Sequence, residues 1–166
     1  MKTLIISLFL FVNISYINGQ TMKKQEELKA IYIFNFIKLI DWQKQEDLKV
    51  GVVGNSQVLL SLKKIADRTS NSFELVKISQ KELIKECSII YIPSAQSRNL
   101  PMISSEVNTL PVLLVSDEVQ LLNEGADIAF NLQGDQLKYY ISKTNLDQSN
   151  ITYSSRLLRL GEVIDM

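Results

Sequence analysis

Four short apolar runs recur between residues 48 and 116, and helical patterns separate them. The runs are residues 48–53, 73–78, 88–92 and 111–116. Residues 56–68 place apolar side chains at helical spacing, and shorter helices are predicted at 79–86, from a capping box at its start, and at 102–107. Strands that alternate with helices form βαβ units, whose parallel sheet must be covered on both faces. The pattern therefore predicts an α/β fold, a three-layer αβα sandwich with a mostly parallel sheet.

The end of the chain departs from this rhythm. Residues 127–132 and 136–142 alternate apolar with polar side chains, and the turn sequence Gln-Gly-Asp lies between them. This pattern predicts an antiparallel C-terminal hairpin at one edge of the sheet. A short helix at 144–149 is expected to end at Asn150, which suits a left-handed conformation. The last predicted helix, residues 156–160, would be capped by Ser154 or Ser155 and terminated by Gly161.

The first nineteen residues have the organisation of a targeting segment. Lys2 gives a positive start, residues 4–12 form an apolar run too short to span a bilayer, and Gly19 supplies a small residue after a polar stretch. We predict that residues 1–19 are a cleavable signal peptide and that residues 20–166 are a single exported domain. A buried N-terminal strand or an uncleaved anchor is the alternative.

Composition argues against several classes of function. The chain has no His, so a Ser-His or Cys-His nucleophile pair cannot form, and the commonest transition-metal ligand is missing. A single Cys excludes an intrachain disulfide and a thiolate zinc cluster. The 18 basic and 18 acidic residues balance and show no basic cluster, which argues against a nucleic-acid partner. We expect no catalytic residues, no cofactor and no metal, and therefore no enzyme.

Two local patterns invite a functional interpretation that their details do not support. Gly51 and Gly54 follow a predicted strand and precede a helix, but they lack the third glycine and the spacing of a dinucleotide-binding loop. Gly54 is better explained by a tight turn between strand and helix. Four acids near the hairpin are interpreted as a solvated rim and not as paired catalytic carboxylates. These acids are Asp117, Glu118, Glu124 and Asp127.

Residues 29–42, together with the end of the chain, resemble the YfiR-like family of periplasmic proteins. The family pattern combines a front helix that ends in Trp, a double glycine before the hairpin, and a closing helix that begins with two serines. This chain keeps only the first of the two glycines and has Ala126 in place of the second. The matching residues here are Lys29, Ala30, Asn35, Phe36, Lys38, Trp42, Gly125, Ser154 and Ser155. The resemblance implies a non-enzymatic regulator that binds and represses a membrane signalling protein of the diguanylate cyclase type. The alternative is a periplasmic small-molecule binding or sensing protein that acts with a histidine kinase or another membrane partner.

The front and closing helices carry more apolar residues than one buried face requires. A helix that is apolar nearly all round is either buried on several sides or offers one side to a partner. Phe34, Ile37, Leu157 and Leu158 are therefore predicted to border a surface that meets the target or a second copy of the chain in a homodimer. The alternative is that all four lie in the core.

Overall fold

The computed structural model describes residues 2–42, 47–69 and 72–164, with side chains from Thr21 onward. The chain alternates strands and helices up to β6, and then forms a hairpin with β7 and four short closing elements. The helices are α1 (Lys2–Leu39), α2 (Gln57–Arg68), α3 (Leu100–Val107), α4 (Lys143–Gln148) and α5 (Ser155–Leu160), with 3-10 helices at Lys81–Glu86, Ser94–Asn99 and Val119–Glu124. The strands are β1 (Ile40–Asp41), β2 (Lys49–Val53), β3 (Glu74–Ile78), β4 (Ile89–Ile92), β5 (Leu113–Ser116), β6 (Ile128–Gln133), β7 (Gln136–Ser142), β8 (Thr152–Tyr153) and β9 (Glu162–Ile164).

Seven strands form the main sheet in the order β3-β2-β4-β5-β6-β7-β9. The pairs from β3 to β6 are parallel, and β6 pairs with β7 antiparallel. From β2 the chain first adds β3 on one side and then crosses to β4 on the other side, so the strand order reverses between β2 and β4. In open α/β sheets, such a reversal leaves a crevice beyond the carboxyl ends of the strands.

Helical layers cover both faces of the sheet, which confirms the predicted three-layer architecture. Side chains alternate along β4, because successive residues of a strand point to opposite faces. Ile89 and Tyr91 pack in the layer that contains α1, α2 and α5. Ile90 and Ile92 pack in the opposite layer, against α3 and the 3-10 helices.

The position of α1 explains why residues 29–42 are so apolar. This helix lies on the sheet between α2 and α5 and contacts both of them. Ala30, Ile33 and Phe36 are fully buried. The Phe36 ring packs edge-on against Tyr139, with 5.1 Å between ring centroids, and lies 6.3 Å from the ring of Phe130. Contacts on three sides require apolar side chains around most of the helix.

Two local predictions about turns are confirmed. Asn150 has a φ of 56°, which is the left-handed conformation expected after α4. Gly54, with a φ of 70°, makes the tight turn from β2 toward α2. These positions could be recognised because Asn and Gly adopt this conformation at lower cost than other residues.

Two other local predictions are corrected. The capping box at residues 79–82 does not form, because the helix is a 3-10 helix that begins at Lys81, with Gln80 as its N-cap and without a side-chain cap bond. The hairpin lies near one end of the sheet as expected, but β9 pairs with β7 outside it and forms the edge. Gly161, just before β9, packs closely against the ring of Tyr139. A Cβ at this position would come within 2.7 Å of Cδ2 of Tyr139.

Candidate functional site

A wide groove lies at the carboxyl ends of β2, β4 and β5. It has a volume of about 970 Å³ and lies between α2 and the segment of α1 that begins near Met22. Met22 and Leu60 line it, and they are 66% and 53% exposed. The groove coincides with the reversal of strand order, where α/β proteins commonly bind ligands.

A cluster of polar side chains, partly buried, forms one end of this groove. Asp117 follows the last residue of β5, and its Oδ2 accepts a 2.7 Å hydrogen bond from the hydroxyl of Tyr91 on β4. Its Oδ1 lies 3.1 Å from Nζ of Lys29 on α1, with which it forms an ion pair. Lys29 also donates a 2.6 Å hydrogen bond to Oε1 of Glu26. The cluster therefore ties α1 to the sheet through charge as well as apolar contacts.

Burial and neighbouring charges together set the protonation states in this cluster. Burial by itself lowers the pKa of Lys29, but attraction to Asp117 and contact with Glu26 outweigh it, so the net pKa is raised above its ordinary value. Burial first, and the Asp117 carboxylate second, raise the pKa of Tyr91 well above its ordinary range. Lys29 therefore remains a cation at neutral pH, and Tyr91 remains a hydrogen-bond donor. These states suit positioning and binding, since neither group is prepared to remove a proton.

The thiol of Cys87 is also held in an unreactive state. The side chain is 3% exposed, and its Sγ donates a hydrogen bond to the carbonyl of Leu83. Burial raises the pKa of this thiol to about 12, so thiolate is scarce at neutral pH. Within the described ranges, no three side chains of His, Cys, Asp or Glu lie together as a metal site would require.

The four predicted surface residues occupy two kinds of environment. Leu157 is fully buried and Ile37 is 9% exposed, so both contribute to the core of the monomer. Phe34 and Leu158 are half-buried and pack against the same core. The helices α1 and α5 do contact each other, as the surface prediction requires. That the four residues border an interface stays a prediction, and the structure leaves Phe34 and Leu158 as the accessible pair.

Four of the residues that match the family pattern have clear structural roles. Ala30 and Phe36 face the sheet and are fully buried. Nζ of Lys38 lies 4.3 Å from the centroid of the Phe34 ring, a cation–π contact. The half-buried Trp42 donates a 2.8 Å hydrogen bond from Nε1 to the carbonyl of Ile37, which closes the end of α1.

The remaining matching residues lie at helix ends or on α1. Gly125 takes a φ of 106° after the 3-10 helix at Val119–Glu124. Ser154 is the N-cap of α5 without a side-chain cap bond, and Ser155 begins the helix and accepts a hydrogen bond from Nη1 of Arg159. Asn35 is half-buried on α1.

The interpretation of the acids near the hairpin as a solvated rim was wrong for two of them. Asp117 has a side chain that is only 10% exposed and belongs to the cluster at the groove. Asp127 is 2% exposed and lies between two strands, whereas Glu124 is exposed as expected. The sequence did contain a signal for this burial, because Asp117 lies immediately after a buried strand and Asp127 immediately before one. An acid at such a strand end can be covered by the layers on either side.

These features define a three-layer α/β protein whose parallel sheet has a groove at its carboxyl edge and a partly buried ion pair at one end of that groove. The chain belongs to the YfiR/HmsC-like family, whose profile matches residues 26–162. The resemblance seen in the sequence is thereby confirmed.

Structural comparison supports the same fold. The chain is similar to the crystal structure of a conserved domain protein from Vibrio cholerae O1 biovar El Tor strain N16961, with a TM-score of 0.61 and 12% identity. The match covers 84% of this chain and 60% of the Vibrio chain. No curated protein matches the sequence. Among the described residues, none of the helices combines the length and the hydropathy that crossing a membrane requires.

Proposed function

We propose that this chain is a non-enzymatic periplasmic regulator that binds and represses a membrane signalling protein of the diguanylate cyclase type. The observation that carries the proposal is membership of the YfiR/HmsC-like family, whose profile matches residues 26–162. This membership implies regulation of diguanylate cyclase signalling from the periplasm. A repressor of this kind acts by binding the inactive state of its target more tightly than the active state. It therefore needs a surface, and no chemistry of its own.

The layer that contains α1 and α5 offers such a surface. Ile31 on α1 is 47% exposed and Leu160 on α5 is 58% exposed, and the two helices contact each other. Phe34 and Leu158 lie half-buried on the same helices. Exposed apolar side chains of this size commonly mark sites of protein contact when they lie together. We assign the target-binding surface to Ile31, Leu158 and Leu160, with Phe34 at its border, where the ring also packs against Phe73.

The proposal is tested by expressing the full chain in bacteria together with a membrane diguanylate cyclase that has a periplasmic domain and is encoded in the same genome. Cyclic di-GMP in the cells should fall several-fold. A chain that lacks residues 1–19 should have no effect, because it stays in the cytoplasm if those residues are the export signal. Unchanged cyclic di-GMP with the exported protein would contradict the proposal.

Surface variants test where the target binds. Ile31→Glu and Leu160→Glu should remain folded, because about half of each side chain is already exposed, and both should lose repression. Met102→Glu is the matched control, since Met102 is 40% exposed on α3, in the opposite layer. Circular dichroism melting curves establish folding for each variant. Full repression by both α1 and α5 variants would remove this surface from the proposal.

A second candidate function is sensing of a small molecule, and the groove at the carboxyl ends of β2, β4 and β5 favours it. Its volume of about 970 Å³ lies within the range of small-molecule sites. A thermal-shift screen of small metabolites should find a stabilising compound, and Leu60→Arg should abolish that shift by filling the groove. A shift that persists in the variant would place the ligand elsewhere.

A further inference from the structure

Asp127 is a buried acid at a junction of three strands. It precedes β6, is 2% exposed, and its Oδ2 accepts a 2.7 Å hydrogen bond from the amide of Leu114 on β5. The main chain of Asp127 donates to the carbonyl of Leu114 at 2.9 Å and accepts from the amide of Ser142 on β7 at 2.9 Å. The residue therefore bonds to the strands on both sides of β6.

A small cavity of about 120 Å³, lined by both polar and apolar side chains, adjoins this carboxyl group. Its walls come from α3, α4 and the turn before β6, and Asp127 is the only charged residue among them. The polar side chains that line it are Ser104, Asn108, Asn145, Gln148 and Ser149.

Charged side chains on the elements around Asp127 are engaged elsewhere or exposed. On α3, Glu106 pairs with Lys81 and Lys85. On α4, Lys143 pairs with Asp147, and on β7, Lys138 pairs with Glu162 of β9. Asp117, the acid that follows β5, pairs with Lys29. Glu118, the next residue, accepts a hydrogen bond from Gln120. Glu124, in the 3-10 helix before β6, is exposed. Within the described ranges, no cation lies within ion-pair distance of Asp127.

We propose that Asp127 is a proton-dependent latch, which holds β5, the β6–β7 hairpin and α4 together when its carboxyl group is protonated and weakens this junction when the group ionises. An ionised carboxylate in this place accepts a hydrogen bond from the Leu114 amide and has no counterion among the described residues. Burying a charge under these conditions is unfavourable.

Asp127 is linked to α4 in two ways, through its own hydrogen bond with Ser142 and through the carbonyl of the preceding residue, Ala126. Ser142, whose amide is bonded to Asp127, is the N-cap of α4 and accepts a hydrogen bond from the amide of Asn145 at 3.2 Å. The Nδ2 group of Asn145 donates to the carbonyls of Leu122 and Ala126, both at 2.7 Å. Displacement of Asp127 would therefore disturb the start of α4 first.

The expected pH dependence has a definite sign. Burial raises the pKa of Asp127 from 3.8 to about 7, and the hydrogen bond from Leu114 opposes this shift only in part. At a pH between 3.8 and about 7, the folded protein binds the proton and the unfolded chain does not. The free energy of unfolding therefore falls as the pH rises through this range, and it levels off above the pKa of the folded protein. Between pH 5 and pH 8, this group should raise the unfolding equilibrium constant about 100-fold.

Asp127→Asn is the test variant, because Asn keeps an acceptor for the Leu114 amide and cannot ionise. Urea unfolding of the purified wild type should show the additional 100-fold change between pH 5 and pH 8, and the variant should lack it. Glu124→Gln is the control, since it removes an exposed acid three residues away and should behave as the wild type does. Amide hydrogen exchange, corrected for intrinsic rates, should accelerate in α4 of the wild type at pH 8 and not in Asp127→Asn.

A direct titration keeps the test decisive if the Asn variant does not fold. The carbon-13 shift of the Asp127 carboxyl group in the wild type should titrate near pH 7, and a midpoint near pH 4 would overturn the proposal. Parallel stability profiles for wild type and Asp127→Asn would also overturn it. So would stabilisation of the wild type alone by added sodium, potassium or calcium chloride at pH 8, because a bound cation would then be the counterion of Asp127.

Discussion

Removal of the Lys29 cation should destabilise the protein far more than removal of an ordinary surface charge. The Lys29 and Asp117 side chains are 14% and 10% exposed, and their charged atoms lie 3.1 Å apart. At an effective dielectric constant of about 20, two unit charges at this distance attract by about 5 kcal/mol. Because the desolvation of Asp117 is retained when only Lys29 is removed, Lys29→Met should cost about 3–5 kcal/mol of unfolding free energy.

A double-mutant cycle separates this charge effect from lost packing. Asp117→Asn keeps an acceptor for the Tyr91 hydroxyl and removes the buried charge, so it should relieve much of the damage in Lys29→Met. We expect the double variant to be more stable than Lys29→Met alone, with a coupling energy of about 2 kcal/mol or more. Urea unfolding at pH 7, followed by circular dichroism, gives all four free energies.

The matched control is Lys138→Met. Nζ of Lys138 lies 2.6 Å from Glu162, a shorter contact than that between Lys29 and Asp117, but the two side chains are 39% and 47% exposed. An exposed pair contributes about 0–1 kcal/mol, so this variant should stay close to the wild type. Equal losses in Lys29→Met and Lys138→Met, or strictly additive effects in the cycle, would refute the argument that burial gives the Lys29 pair its importance.

Two further changes probe packing around α5. Gly161→Ala should cost about 1–3 kcal/mol, because the new methyl group would meet the Tyr139 ring; near-wild-type stability in a thermal melt would show that the ring moves aside freely. Leu157→Glu should prevent folding, since the side chain is fully buried, whereas Leu160→Glu, at 58% exposure, should leave the melting temperature nearly unchanged. A folded Leu157→Glu protein that has lost only an association measured by sizing would instead support an interface at Leu157.

The prediction of the layers succeeded because it depended on local patterns. Short apolar runs separated by helical spacing require a covered parallel sheet, whatever the details of the loops. The positive φ at Asn150 and Gly54 could likewise be assigned from residue type and position alone. The alternation in residues 127–142 was sufficient to predict the hairpin, although the pairing of β9 outside it involves residues from beyond α5.

Burial of individual polar and apolar side chains followed no such local rule. Glu124 and Asp127 lie three residues apart in one acidic region, yet one is exposed and the other is enclosed by β5, β7 and α4. Leu157 and Leu160 lie one helical turn apart, and only the first faces the sheet. By itself, the sequence determined the fold class and its turns, because these arise from neighbouring residues along the chain. Tertiary structure decided the ion pair, the buried acid and the accessible apolar surface, because those depend on which distant elements pack against each side chain.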